Sequence, residues 1–136
     1  MSRWRASLLT MIALATAGAN ASAATAAQKI LTVDAEYLES TMPLYAAVEQ
    51  QAAALKKNAD DERRGDIELA RQIRVSDILT ALPEVIAELA TARQADMVVD
   101  RAVARRIGAK VDADITTDIE RRLQAQFGGR ALELDP

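Results

Sequence analysis

Residues 94–127 read QADMVVDRAVARRIGAKVDADITTDIERRLQAQF and change hydrophobic period three times in one short segment. This restricts the chain to a small mixed body. Met97, Val98 and Val99 form an apolar run rich in β-branched residues between Asp96 and Asp100, which reads as a buried strand. A second short strand is expected over residues 102–107, AVARRI, ending at Gly108. Residues 114–116, DIT, then open a helix. Its Ile115, Ile119, Leu123 and Phe127 recur once per turn on a single face. Thr117 and Glu120 have the spacing of a capping box.

The chain before this segment is almost entirely helical in pattern. Residues 29–34, KILTVD, are the one strand expected in the N-terminal half. Beyond Asp34, Leu38, Met42, Tyr45, Val48, Ala52 and Leu55 recur at three- and four-residue spacing. Pro43 either kinks that series or occupies the first turn of a new helix, with Ser40 or Thr41 as cap. Residues 56–66, KKNADDERRGD, contain no large apolar side chain and read as a solvated tip. The turn falls either at residues 58–61 or at Gly65 and Asp66. A second series follows through Ile67, Leu69, Ile73, Ile78, Leu79, Leu82, Val85, Ile86 and Leu89. Pro83 either kinks it or restarts it with Thr80 as cap. The spacing approaches a heptad in parts, without the three to four heptads a coiled coil requires. The economical reading is an αα-hairpin with arms of about 20–25 residues, roughly 30–37 Å long. Its return places KILTVD beside DMVVD in one sheet. The fold expected is therefore α+β and mostly helical: a small β-body made of the N-terminal strand plus two later strands, a long α-helical hairpin arm, and a C-terminal helix.

Composition narrows the chemistry. Among 136 residues there is no Cys and no His, one Trp, one Phe and two Tyr. Disulfides, thiol catalysis, imidazole acid–base chemistry and the usual zinc ligand sets are excluded, and no cofactor, metal or enzymatic activity is expected. An Ala-rich chain with few aromatics builds a thin core from Leu, Ile and Val, and a small thin-cored body favours self-association. At the start, Arg3 and Arg5 precede an uncharged apolar stretch and the small residues Ala21, Ser22 and Ala23, the pattern of a cleaved export signal over residues 1–23. After Leu14 the stretch is too weakly apolar for a stable membrane span. Its removal takes two of the 17 Lys and Arg and none of the 20 Asp and Glu, leaving a net charge of −5. Such an acidic chain gives no reason to expect nucleic-acid binding.

Two blocks carry a family likeness. KILTVDAEYLESTMPLYAAVEQQAAALKK and ADMVVDRAVARRIGAKVDADITTDIERRL, in that order behind an exported start, resemble the Skp/OmpH family of periplasmic chaperones. The first matches an opening strand ending in V-D and a helix rich in Gln, Glu, Ala and Lys. In the second, Val99-Asp100 and Asp114-Ile115-Thr116 match residue by residue. The resemblance implies a periplasmic homotrimer whose β-bodies share a hub. Its hairpin arms enclose unfolded outer-membrane proteins without ATP. On this alignment residues 24–136 form one domain, with body 28–42 and 93–127, arm 43–92 and a short tail 128–136. Body and trimer contacts are expected from Ile30, Val33, Met97, Val99, Ile115 and Ile119. Client contacts are expected from Leu69, Ile73 and Leu82 if they turn inward, although the same residues serve equally to join the two arm helices. The chain departs from the family in its short arms, its acidic charge and the Arg105-Arg106 pair, where an apolar strand is usual. The alternative is a trimeric scaffold or interaction protein that no longer encloses clients.

The remaining polar groups have plainer readings. Asp112, Asp114 and Asp118 suit a helix N-terminus rather than a cation site. Gly128 and Gly129 follow a helix and terminate it. Arg101, Arg105, Arg106 and Lys110 read as a solvated edge strand or as a contact for an acidic client segment.

Overall fold

The computed structural model describes residues 11–13 and 28–134. Apart from residues 11–13, the export signal expected over residues 1–23 lies outside the described residues. The described chain is mostly helical around one small sheet. Four strands appear: β1 (Met11–Ala13), β2 (Ile30–Val33), β3 (Met97–Asp100) and β4 (Ala113–Asp114), in the spatial order β1-β3-β2-β4. Strand β2 pairs in parallel with β3, Leu31 opposite Val98, and with β4, Leu31 opposite Ala113. Strand β1 pairs antiparallel with the other edge of β3. Parallel neighbours require long crossovers, and the β2–β3 crossover is a helical excursion.

That excursion begins with a π-helical turn at Tyr37–Thr41, where Met42 N–H reaches back to the Tyr37 carbonyl at 3.0 Å. The Leu38 carbonyl, left without its α-helical donor, accepts from the Tyr45 hydroxyl at 2.6 Å. Pro43, which has no N–H to give, then starts α1 (Pro43–Lys56) at its first position. Neither Ser40 nor Thr41 caps it, and the Ser40 hydroxyl donates to the Glu36 carbonyl instead. The chain turns at residues 57–60 rather than at Gly65. Asp60 caps α2 (Asp61–Ala92) by accepting from Arg63 N–H at 2.8 Å.

Helices α1 and α2 have 14 and 32 residues, not the two similar lengths expected. Pro83 neither restarts nor ends α2. The buried stripe Ile78, Leu82, Val85 and Ile86 runs through it, so tertiary packing overrides a proline cost of about 3 kcal/mol. Glu49–Arg71 and Lys56–Glu68 ion pairs, at 2.8 and 2.9 Å, fix the two helices as antiparallel.

After β3 the structure departs from the expected second strand. Residues 102–107 belong to a helix, α3 (Arg101–Ile107). The Asp100 carboxylate caps it at Ala102 N–H, Ala and Arg are strong helix formers, and Gly108 closes it with φ 65°. Arg105 and Arg106 therefore lie in the last turn of a helix, where cations are favoured, and not on an edge strand. The third strand of the parallel set is instead the two-residue β4. Helix α4 (Thr116–Phe127) follows with the expected stripe, Ile119, Leu123 and Phe127 all buried behind Ile115. The Thr117–Glu120 capping box does not form. Asp114 accepts from Thr116 N–H at 3.1 Å, while Glu120 accepts from the Tyr37 hydroxyl at 2.7 Å. Ion pairs Arg93–Asp118 and Arg122–Glu88 hold α4 antiparallel to the second half of α2.

One core results. Leu31, Val33 and Val98 on one sheet face meet Leu38, Leu44, Val48, Ile78, Ile86, Ile119 and Leu123 from the helices. Thr32 and Val99, opposite each other in register, are buried on the other face.

Candidate functional site

The carboxyl ends of β2, β3 and β4 bring together Asp34, Asp100 and Asp114, and such strand ends are where open parallel sheets usually place a ligand. Here each carboxylate already serves the backbone that follows it. Asp34 accepts from Tyr37 N–H at 3.1 Å. Asp100 accepts from Ala35 and Ala102 N–H at 3.0 and 3.1 Å. Asp114 accepts from the Thr32 hydroxyl, from Thr116 N–H and from Arg101. Burial pushes the Asp114 carboxyl up, but the hydrogen bonds from Arg101, Thr116 and Thr32 outweigh it and hold the group below its ordinary value. Arg101 is correspondingly raised by Asp114. The Tyr37 hydroxyl is raised by its bond to Glu120. Asp34, Asp100 and Asp114 are thus each engaged in hydrogen bonds to the fold itself. Asp112 accepts from Ile30 N–H, and Asp118 pairs with Arg93 and Arg121, so the acidic run is spread over three separate jobs. Among the described residues no group of three or more acidic side chains is arranged to hold a metal ion.

The surface that stands out is apolar. Leu69 and Ile73, one turn apart on α2, are 56% and 52% exposed, and Leu55 near the end of α1 is 42% exposed. Leu82, expected with the first two, is 1% exposed and lies in the core, so the structure joins Leu69 to Ile73 and separates both from Leu82. Of the expected body contacts, Val33, Val99, Ile115 and Ile119 are buried within this chain, whereas Ile30 and Met97 at the sheet's start are half-exposed. Next to Ile73, a shallow recess is lined by Arg74, Phe127, Arg130 and Glu133. It forms where the segment after α4 folds back onto the hairpin.

Two residues of this region, Gln51 and Arg74, did not stand out in the sequence. Arg74 carried a signal: it sits between Ala70 and Ile78 at four-residue spacing, a charge on the apolar stripe of a helix. Gln51 carried none, since a glutamine in a run of Gln and Ala is ordinary helix surface. Among the described residues no helix is long and apolar enough to cross a membrane. Comparison of the chain with protein-family models, with curated proteins and with solved structures gives no match.

Proposed function

We propose that the chain is an ATP-independent periplasmic holdase of the Skp/OmpH type, exported, trimeric and short-armed, which binds unfolded outer-membrane proteins. The observation that carries this reading is a split body: β2 and β3 pair side by side while an antiparallel helical hairpin leaves and returns between them. The sequence blocks that resemble the family fall on those two strands and on the DIT entry to α4. Leu69 and Ile73 supply an exposed apolar surface of the kind that weak, unselective contacts with a client need. Half-exposed Ile30 and Met97 supply the corresponding surface for self-association. Light scattering of an aggregating outer-membrane protein, with and without excess chain, tests the proposal. Suppression is expected, and unaltered aggregation at every ratio refutes it. A stable monomeric mass for the processed chain removes the trimer.

One observation favours a second reading, a scaffold that has lost client enclosure. Residues 130–132 are bound across Gln51 and Arg74, so the hairpin is braced well along its length and little of it projects freely. Affinity capture from periplasm separates the two. A spread of unfolded outer-membrane proteins supports the holdase, and one stoichiometric folded partner supports the scaffold.

A further inference from the structure

The segment after α4 is held by contacts addressed to its main chain. Gly128 and Gly129 turn it back: Gly129 takes φ 73°, and a Cβ on Gly128 would run into the Gln124 carbonyl oxygen. From there Gln51 Nε2 donates to the Arg130 carbonyl at 3.0 Å, and Gln51 Oε1 accepts from Leu132 N–H at 2.8 Å. A single side-chain amide thus occupies the two positions, i and i+2, that a neighbouring strand would use. The Arg74 guanidinium donates to the Arg130 and Ala131 carbonyls at 3.0 and 2.9 Å. The Leu132 side chain, 7% exposed, enters the hydrophobic core, with Leu134 packed beside it.

Arg74 makes the arrangement unusual. It is 9% exposed, and none of the ion pairs among the described residues includes it. Its charge is met by peptide carbonyls. With the segment in place the guanidinium is buried and bonded to two peptide carbonyls, so Gln51 on α1 and Arg74 on α2 both present their polar groups to a polypeptide backbone in the groove between these helices. None of the groove's four hydrogen bonds to the segment reads a side chain. Side-chain selection comes from Leu132 and, less deeply buried, Leu134, and both positions ask for an apolar residue.

We propose that this groove is a binding site for an extended polypeptide segment bearing an apolar residue, and that residues 130–134 are its resident occupant, displaced when such a segment arrives. The identification of the arriving segment as part of an unfolded client rests on the holdase reading; the groove's specificity does not. Ile73 lines the recess beside Arg74, and Leu69 stands exposed one turn earlier on the same helix. A chain held loosely there lies beside a groove that can take its backbone.

The test uses the full chain and a fluorescein-labelled peptide of sequence GGRALELDP, matching residues 128–136. In the natural chain the tethered segment competes at an effective concentration of about millimolar, so the free peptide binds weakly. Leu132→Ser combined with Leu134→Ser weakens the resident, and fluorescence anisotropy should then show binding at least about tenfold tighter. The same peptide N-methylated at the Leu132 position lacks the N–H that Gln51 accepts. It should bind at least about fivefold worse, as should the unmodified peptide when Gln51→Ala is added to the double variant. Far-UV circular dichroism establishes that each variant is folded. Three results overturn the proposal: no binding to a folded double variant up to millimolar peptide, binding indifferent to both N-methylation and Gln51→Ala, or a dimer at micromolar concentration that excess peptide dissociates. The last would make the groove an exchange interface between copies. Because the probe is the chain's own sequence, the result stands whether or not aggregation is suppressed.

Discussion

Asp100 ties the end of β3 to two different segments, and its removal has a calculable effect. Its Oδ2 caps α3 at Ala102 N–H and its Oδ1 accepts from Ala35 N–H, at the entry to the π-helical turn. Losing an N-cap of this type costs about 1 kcal/mol. Ala35 is 5% exposed, so its N–H would be left buried without an acceptor, which adds about 1–3 kcal/mol. Asp100→Ala should therefore destabilise the fold by about 2–4 kcal/mol, a large part of the 5–15 kcal/mol typical of a domain. Asp100→Asn keeps one oxygen acceptor and presents an NH2 to the other donor, so it should lose roughly half as much. The assay is urea unfolding followed at 222 nm, with the slope m unchanged between variants so that midpoints compare directly. Raising NaCl to 1 M shortens the Debye length to about 3 Å and should leave the difference between the two variants nearly intact, because short hydrogen bonds carry it. An Asp100→Ala midpoint equivalent to less than about 0.5 kcal/mol of change, or equal losses for Ala and Asn, would refute the assignment.

Other outcomes follow from single positions. Gly65 lies exposed inside α2 with open space around its Cα, so Gly65→Ala should stabilise the chain by about 0.5–1 kcal/mol. Gly108→Ala, at φ 65°, should destabilise it by about 1 kcal/mol; a destabilised Gly65→Ala or a stabilised Gly108→Ala in thermal melts would contradict the respective reading. Leu82→Ala should cost about 2–5 kcal/mol and Leu69→Ala less than about 0.5. Conversely, Leu69→Ala should be the one that weakens suppression of aggregation. Arg71 and Lys56 hold the Glu68 carboxyl down to about 2, below its ordinary 4.5. The folded state thus binds fewer protons than the unfolded one between those values. The contribution of Glu68 is complete above about pH 4.5 and vanishes as pH falls through about 2. Urea midpoints of wild type and Glu68→Gln should accordingly converge on acidification, and a gap that widens towards pH 2 would reverse the argument.

Where the sequence was explicit, one pattern ran long enough to exclude its rivals. The α4 stripe runs over about three turns, and KILTVD and MVVD are too rich in β-branched residues and too short for helices. Pro43 allowed a kink or a helix start, and the start, where its missing N–H costs nothing, is what forms. Residues 102–107 are ambiguous in sequence because the six residues AVARRI satisfy period 2 and period 3.6 about equally. The deciding group, Asp100, lies just outside them and acts through a cap. Strand β4 has two residues and no pattern at all; it exists because Ile115 N–H and Asp112 N–H find the Thr32 and Ile30 carbonyls. Thr117 and Glu120 had the right spacing for a box, but Tyr37, distant in sequence, takes Glu120 first. At the candidate site, spacing placed Leu69, Ile73 and Leu82 on helices without saying which side faces inward. The contact of residues 130–132 with Gln51 and Arg74 spans 56 to 81 positions, which local patterning cannot register.

Strand β2 sits in the middle of the parallel set, and both of its partners come from the far end of the chain. Its hydrogen bonds to β3 bridge 67 positions and those to β4 bridge 82. The helices complete themselves locally within microseconds, but β2 has no neighbour until residues 97–100 have been synthesised and gains its second only at residue 114. Non-local pairing of this kind is the slow part of folding. A growing chain therefore carries finished helices and an unfinished sheet until residue 114 has emerged, and over that interval it remains an open thread rather than a locked body.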